Sequence, residues 1–390
     1  MPRRLSPIVA VFLTVFLDML SFGLVIPDIQ LRGDELGAHG FVRGLLIATF
    51  SLAQLLTAPF LGRLSDTLGR RKILLVSTIL ATVSFLFYAH ADVLWAMFVA
   101  RVLAGVAGAN LGVAYAYIAD VTTPEERARG MGLIGAAFGL GFVLGPVIGA
   151  YLVQLGGGKP LVMGYVAAGL GFVNFLFVLF LLPESVKAAV EAKARQSTLA
   201  NLLIALRTPT FGLLLALFFV YNFAFSNLES TYFLLVVKHF GLTQQEGSYL
   251  LALVGVVSAV TQGALVRLAV KRWGEVRVVR AAYLVIAPML AIVPFAPPWL
   301  PQIAGIVVMG LATGLAQPCL SSLISRAAPA DMQGGSFGLT QALGACARIL
   351  GPMIGNQLFD LAFWAPYALA GLLVCVPAFL SRSIRLPAAA

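Results

Sequence analysis

Charge is what this chain has least of. Only 11% of its 390 residues are Asp, Glu, Lys or Arg, against about 25% in a soluble globular domain. That is too few to coat a water-facing surface, so a soluble globular protein is excluded. Histidine is scarcer still, and the three present, His39, His90 and His239, are too far apart in sequence to suggest a site. The three cysteines, Cys319, Cys346 and Cys375, form an odd set whose spacing fits neither a zinc site nor a disulfide framework. They sit in apolar runs and read as buried small hydrophobes. A metalloprotease helix motif, a phosphate-cradling loop and a nucleophile elbow are all missing. The sequence therefore points away from an enzyme and names no metal and no cofactor.

What is there is apolar. The chain is 60% hydrophobic with a mean hydropathy of +0.96, and its natural solvent is lipid. A hydrocarbon layer takes roughly 20 apolar residues to cross. The pattern predicts helices at about 8–29, 43–61, 73–90, 93–119, 131–155 and 162–182. A second set follows at about 211–237, 247–270, 278–296, 300–323, 336–359 and 363–381. Residues 183–208 form the longest polar stretch, a cytoplasmic linker with room for an amphipathic surface helix. The expected domains are thus 1–182, the linker 183–208, and 209–390. The first apolar run follows Arg3 and Arg4 but extends far past a signal-peptide core, so it reads as a permanent helix.

The net charge of +10 invites a nucleic-acid partner, but position argues otherwise. With Arg43, Arg267 and Arg280, which lie within three residues of a predicted helix end, counted on the side they adjoin, 20 of the 26 basic residues fall on one side, 4 on the other, and Arg101 and Arg348 lie mid-membrane. That asymmetry is the positive-inside rule, with both termini cytoplasmic and no nucleic acid implied.

The two sets of helices are also related to each other. Pro124-Glu125-Glu126 corresponds to Pro329-Ala330-Asp331, and Gly145-Pro146-Val147-Ile148-Gly149 to Gly351-Pro352-Met353-Ile354-Gly355, an offset of 206. Parallel repeats of this kind place a substrate site near mid-membrane between the halves.

An ionisable group at bilayer depth is costly unless paired or facing water, so each is a functional candidate. There are four: Asp18, Arg101, Glu229 and Arg348. Asp18 lies about 15 Å into helix 1, near the middle of a layer about 30 Å thick. Burial favours the neutral carboxyl and a nearby cation the ionised one, and a group balanced between them can load and release a proton. The alternative is a static ion pair locking helix 1 to a neighbour. Arg101 reaches a similar depth in helix 4, followed by the small face of Gly105 and Gly108, and pairing with Asp18 is the economical expectation. Glu229 is a second proton site, a contact for a cationic substrate, or a carboxylate near external water. Arg348 either pairs with Glu229 or meets an anionic group on the substrate. The neutral polar residues Gln54, Asn110, Asn174, Asn222, Gln262, Gln317 and Gln341 line a cavity or bond helix to helix. Phe22, Tyr115, Tyr117, Tyr221 and Phe225 surround a flat substrate or pack toward lipid.

One stretch organises the rest. Residues 62–74, Gly62-Arg63-Leu64-Ser65-Asp66-Thr67-Leu68-Gly69-Arg70-Arg71-Lys72-Ile73-Leu74, read as a short, basic, glycine-punctuated loop between two apolar runs. It resembles the signature loop between helices 2 and 3 of the major facilitator superfamily. There the aspartate and arginines latch the two halves on the cytoplasmic side, which implies a latch of Gly62, Asp66, Gly69, Arg70 and Arg71 here. Arg101 to Gly108 resembles the helix 4 motif whose arginine is linked to proton handling. Gly141 to Gly149, with Gly145 and Pro146, resembles the antiporter motif of drug–proton exchangers.

With Leu17-Asp18, Pro27, Gln54, Ala58-Pro59 and Ile118-Ala119-Asp120, the first half is similar to the twelve-helix drug–proton antiporters, and within them to tetracycline exporters. The resemblance implies an all-α membrane protein of twelve helices in two pseudo-twofold-related six-helix bundles. It further implies a proton-coupled antiporter in a bacterial inner membrane, exporting small amphipathic or lipophilic compounds by alternating access. Proton coupling would fall to Asp18, Arg101 and Glu229. The partners would be a small-molecule substrate, protons and membrane lipids, with the chain acting as a monomer. The alternative is a symporter or facilitator for a metabolite, organic anion or lipid. By eye, Ser84 and Ser258 stand where tetracycline exporters carry an aspartate and a histidine, so the substrate does not carry over with the architecture.

Overall fold

The computed structural model describes residues 6–185, 208–329 and 333–380, and these residues contain helices and no strands. The helices are α1 Pro7–Glu35, α2 Gly40–Leu68, α3 Arg70–Ala89, α4 Leu94–Val121, α5 Pro124–Leu155, α6 Leu161–Leu181, α7 Pro209–His239, α8 Gln244–Trp273, α9 Glu275–Phe295, α10 Leu300–Ala327, α11 Gln333–Leu361 and α12 Ala365–Leu380. The first ten are long and apolar enough to cross a membrane, and α12 is a shorter apolar helix. Most of the polar stretch expected as a linker, 186–207, lies outside the described residues, as do Ala330 and Asp331.

Local chemistry explains the helix ends. Prolines open α1, α5 and α7, where a missing N–H costs nothing. Gly69, at φ +103°, separates α2 from α3, and Gly274, at φ +78°, separates α8 from α9. A single residue in the left-handed region makes each reversal, which favours glycine at both.

Packing divides the chain into two units. The first holds the described residues of Met1–Ala38, Leu46–Ala192 and Thr243–Ala252, and the second those of His39–Leu45, Lys193–Leu242 and Leu253–Ala390. The opening turn of α2 thus belongs to the second unit and the opening turns of α8 to the first. Within the first unit α1 packs on α5 and α6, and α3 on α4 and α6. Within the second, α7 packs on α11 and α12, and α9 on α10 and α12. These are the same pairs one repeat later.

Small residues make the pairs close. A Cβ at Gly145 in α5 would lie 2.5 Å from the Gly23 Cα in α1, and one at Gly351 in α11 would lie 3.1 Å from the Phe223 carbonyl oxygen in α7. Van der Waals packing of this kind drives helix association where lipid removes the hydrophobic drive. Many large apolar side chains are exposed, among them Phe60, Phe180, Leu300 and Leu361, a surface suited to acyl chains.

Three sequence expectations need correction. α2 does not stop at 61 but runs to Leu68, so Gly62 is mid-helix and only Gly69 is the turn. Charged side chains that can reach water do not break a helix. α4 is interrupted by a two-residue turn at Ala109–Asn110. Cys319 is buried, but Cys346 is only half-buried and Cys375 lies on the exposed face of α12.

Candidate functional site

In the first unit, half-buried Asp18 sits on α1 between two amides. Asn110 Nδ2 donates to its Oδ2 and Asn174 Nδ2 to its Oδ1, each at 2.8 Å. Asn174, fully buried on α6, also donates to the Thr14 carbonyl at 3.0 Å. Asn110 lies in the α4 turn, and the turn has a second consequence. It leaves the Gly108 carbonyl without its ordinary helical donor, and Gln54 Nε2 from α2 supplies one at 2.8 Å. Of the neutral polar candidates, Gln54, Asn110 and Asn174 therefore meet at one place.

Arg101 does not pair with Asp18. It is nine residues before Asn110, roughly 13 Å away along α4, and both Asp18 oxygens are already taken. The guanidinium is 6% exposed and lies over the Phe50 ring at 4.9 Å and the Phe22 ring at 5.8 Å. Its Nη2 donates to the Ile47 carbonyl at 3.2 Å, and its buried Nε has no partner. Beside it is a cavity of about 10 Å³ lined by Phe22, Ser84, Phe85, Tyr88 and Arg101, room for about one water.

A third ionisable group of this unit escaped the sequence reading. Asp28 is 5% exposed, accepts a 2.6 Å hydrogen bond from the Tyr88 hydroxyl and another from Gln244, and has Arg32 nearby on its own helix. The predicted helix 1 ended at 29, which made Asp28 look terminal. In the structure α1 continues to Glu35, and Asp28 is well inside it.

The stretch 62–74 forms a compact polar cluster. Arg70 bonds Asp66 one turn back, Ser65, and Asp120 of α4, the last at 3.2 Å. Arg71 donates to the Val178 and Leu179 carbonyls at the end of α6. The Glu184 carboxylate fills the space where a Cβ on Gly69 would sit and accepts from the Arg71 N–H at 3.3 Å. Along α5, Gly141, Gly145 and Gly149 all face the α1 backbone at Met19, Gly23 and Leu24, and Pro146 lies between them.

In the second unit, half-buried Glu229 and Arg348 lie in each other's Coulombic field without forming a contact ion pair. Tyr221 donates to the Thr313 carbonyl at 3.2 Å and stacks on Phe225. With Leu228 and Met309 they line a second cavity of about 10 Å³. Asn222 bonds back to Phe218 in its own helix, Gln317 Oε1 is buried without a partner, and Gln262 and Gln341 are exposed.

The second unit also holds a cluster that no sequence signal announced. Arg43, 1% exposed in the opening turn of α2, donates from Nε to Asn356 at 2.8 Å and from Nη2 to Asp360. The Gly40 and Phe41 N–H groups are capped by Asp360 and Gln357. These partners are more than 300 residues apart in sequence.

Together these features define a multi-pass membrane protein built from two six-helix repeats, with ionisable side chains placed at bilayer depth. The Major Facilitator Superfamily family model matches residues 11–352, and the chain belongs to that superfamily of transporters. It is 31% identical to the class C tetracycline resistance protein of Escherichia coli, over 96% of each chain. It is 27% identical to multidrug resistance protein 2 of Bacillus subtilis, over 93% of this chain and 91% of that one. Among solved structures it is similar to the human organic anion transporter MFSD10, with 28% identity, a TM-score of 0.72, and coverage of 98% of this chain and all of the other.

Proposed function

We propose that this transporter is a proton-coupled antiporter that exports small amphipathic or lipophilic compounds, drugs among them, by alternating access. One observation carries the reading: Asp18 is held by the neutral amides of Asn110 and Asn174 and, among the described residues, by no cation. Breaking a buried ion pair by neutralising one partner strands the other charge, at a cost of about 3–5 kcal/mol. Neutralising Asp18 strands no opposite charge, so a proton can load and leave within each cycle. The similarity to tetracycline and multidrug resistance proteins supports the export direction.

On this reading Asp18 is the coupling carboxylate and Glu229 a second one. Residues 1–182 and 209–390, joined by 183–208, are the two moving halves. The Asp66–Arg70–Arg71 cluster is the cytoplasmic latch, and the protein works as a monomer in a bacterial inner membrane with both termini in the cytoplasm.

The test is a substrate screen in proteoliposomes enclosing a pH-sensitive dye. Asp18→Asn should abolish proton-driven transport while the protein still purifies as a monodisperse species. Unchanged transport in that variant would refute the assignment. A second reading, a symporter or facilitator for an organic anion, is favoured by the similarity to MFSD10. The direction of substrate movement under an imposed pH gradient separates the two.

A further inference from the structure

We infer that Arg101 and the cavity it lines form an anion site within the first unit, taking either a carboxylate group or a halide ion. A guanidinium carries five N–H donors and stays charged in proteins. At 6% exposure Arg101 uses one of them, toward the Ile47 carbonyl, and its Nε has no partner. Among the described residues no carboxylate lies within ion-pair distance of it. Asp18 is bonded by Asn110 and Asn174, and Asp28 by Tyr88 and Gln244. The rings of Phe22 and Phe50 lie against the cation and offset part of its desolvation. They leave its hydrogen-bonding edge unserved.

An ion buried this way costs several kcal/mol unless a counter-charge arrives. The space for one is present: the cavity beside Arg101, with Ser84 and Tyr88 in its wall, is about 10 Å³. That admits a single oxygen or halide and no larger group. The Tyr88 hydroxyl is committed to Asp28 and the Ser84 hydroxyl to the Ala81 carbonyl. Recognition therefore falls on the guanidinium, which can donate to a halide or to one oxygen of a carboxylate. The carboxylate arm names a group on the transported compound and rests on the transport reading above. The halide arm does not.

The experiment uses the full chain in nanodiscs, with chloride or formate, the smallest carboxylate, titrated into a low-anion buffer while the thermal midpoint is followed. Wild type, Arg101→Lys and Asp18→Asn should all show a saturable rise. Arg101→Gln should weaken the apparent affinity at least about tenfold, the loss of one charge-assisted bond. Ser84→Asp, which places a carboxylate in the cavity wall, should fold and lose the response because the site is filled from within. That variant keeps the test decisive if Arg101→Gln does not fold.

Formate that competes with chloride supports a seat for a substrate carboxylate; a response to chloride alone supports an inorganic counter-ion. No saturable response in wild type, or the same response in both Arg101→Gln and Ser84→Asp, would overturn the site. The titration uses no gradient. Saturable binding without proton-driven transport would therefore overturn the coupling proposal and leave the anion site standing.

Discussion

Gly145→Ala is a test of the α1–α5 contact with a built-in control. An added Cβ would lie 2.5 Å from the Gly23 Cα, 2.6 Å from its carbonyl carbon and 2.9 Å from the Leu24 nitrogen. All three are backbone atoms of α1, so no side chain can rotate aside. Carbon atoms settle at about 3.5–4.0 Å, so the two helices must part by roughly 1 Å. Overpacking of this kind costs about 1–3 kcal/mol, more than the helix-propensity gain of up to about 1 kcal/mol for replacing glycine by alanine. Gly139, on the same helix, has nothing within 4 Å of the corresponding position. Gly139→Ala therefore collects the propensity gain alone, and the two variants should shift stability in opposite directions. Thermal denaturation in nanodiscs, read by the reaction of buried Cys319 with a thiol dye after Cys346→Ala and Cys375→Ala remove the accessible thiols, would show Gly145→Ala melting lower and Gly139→Ala equal to or above the parent. A Gly145→Ala protein as stable as wild type would show that the close approach of α1 and α5 is not a packing constraint.

Two further substitutions separate structural from switching roles. Arg43 is 2% exposed at its side chain and Asp360 34%, so the two halves of the pair are not equivalent. Asp360→Ala removes a carboxylate from a buried guanidinium that keeps its bond to Asn356, and should cost up to about 3–5 kcal/mol. Arg43→Met leaves a carboxylate that water can reach and should cost clearly less. Equal melting points would contradict the buried-pair account. Asp66→Asn removes one of two carboxylates around Arg70 while Asp120 remains. Folding should survive, and distance measurements between spin labels on the cytoplasmic ends of the helices should show a changed balance of conformers. An unchanged distribution would count against the latch.

The twelve helices were legible because lipid imposes a length and an apolarity that few other constraints can mimic. Helix ends were less so. Arg63, Ser65 and Asp66 looked like a loop because they are polar, yet a helix tolerates polar side chains wherever they reach water, and only Gly69 has a backbone angle that ends it. Depth was the larger difficulty. Counting residues from each predicted start put Asp18 and Arg101 at one level, but the count fixes a position along one helix and says nothing about how neighbours slide. The residue at the level of Asp18 is Asn110, one of seven neutral polar candidates that the sequence ranked equally. Arg43 and Asp360 carry no periodicity or motif, and their pairing exists only after folding.

The chain keeps ionisable groups in an apolar medium in two different ways. Asp18 is bonded by neutral donors, so its charge can disappear without leaving an opposite charge unpaired. Arg101 is a permanent cation against aromatic faces, so its charge cannot disappear and has to be met from outside. Had the two formed one ion pair, loading a proton on the acid would have stranded the base, and each cycle would have begun by paying that cost. Setting Arg101 roughly 13 Å along α4 from Asn110, which bonds Asp18, removes the penalty. Proton and anion can then be handled at separate points of one helix pair: an arriving proton changes the charge at Asp18 while the Arg101 cavity stays available to an anion. On the proposed reading, the coupling of the two runs through the α1–α4 pair: α1 carries Asp18 and the Phe22 ring that lies over Arg101, and α4 carries Arg101 and the Asn110 that bonds Asp18.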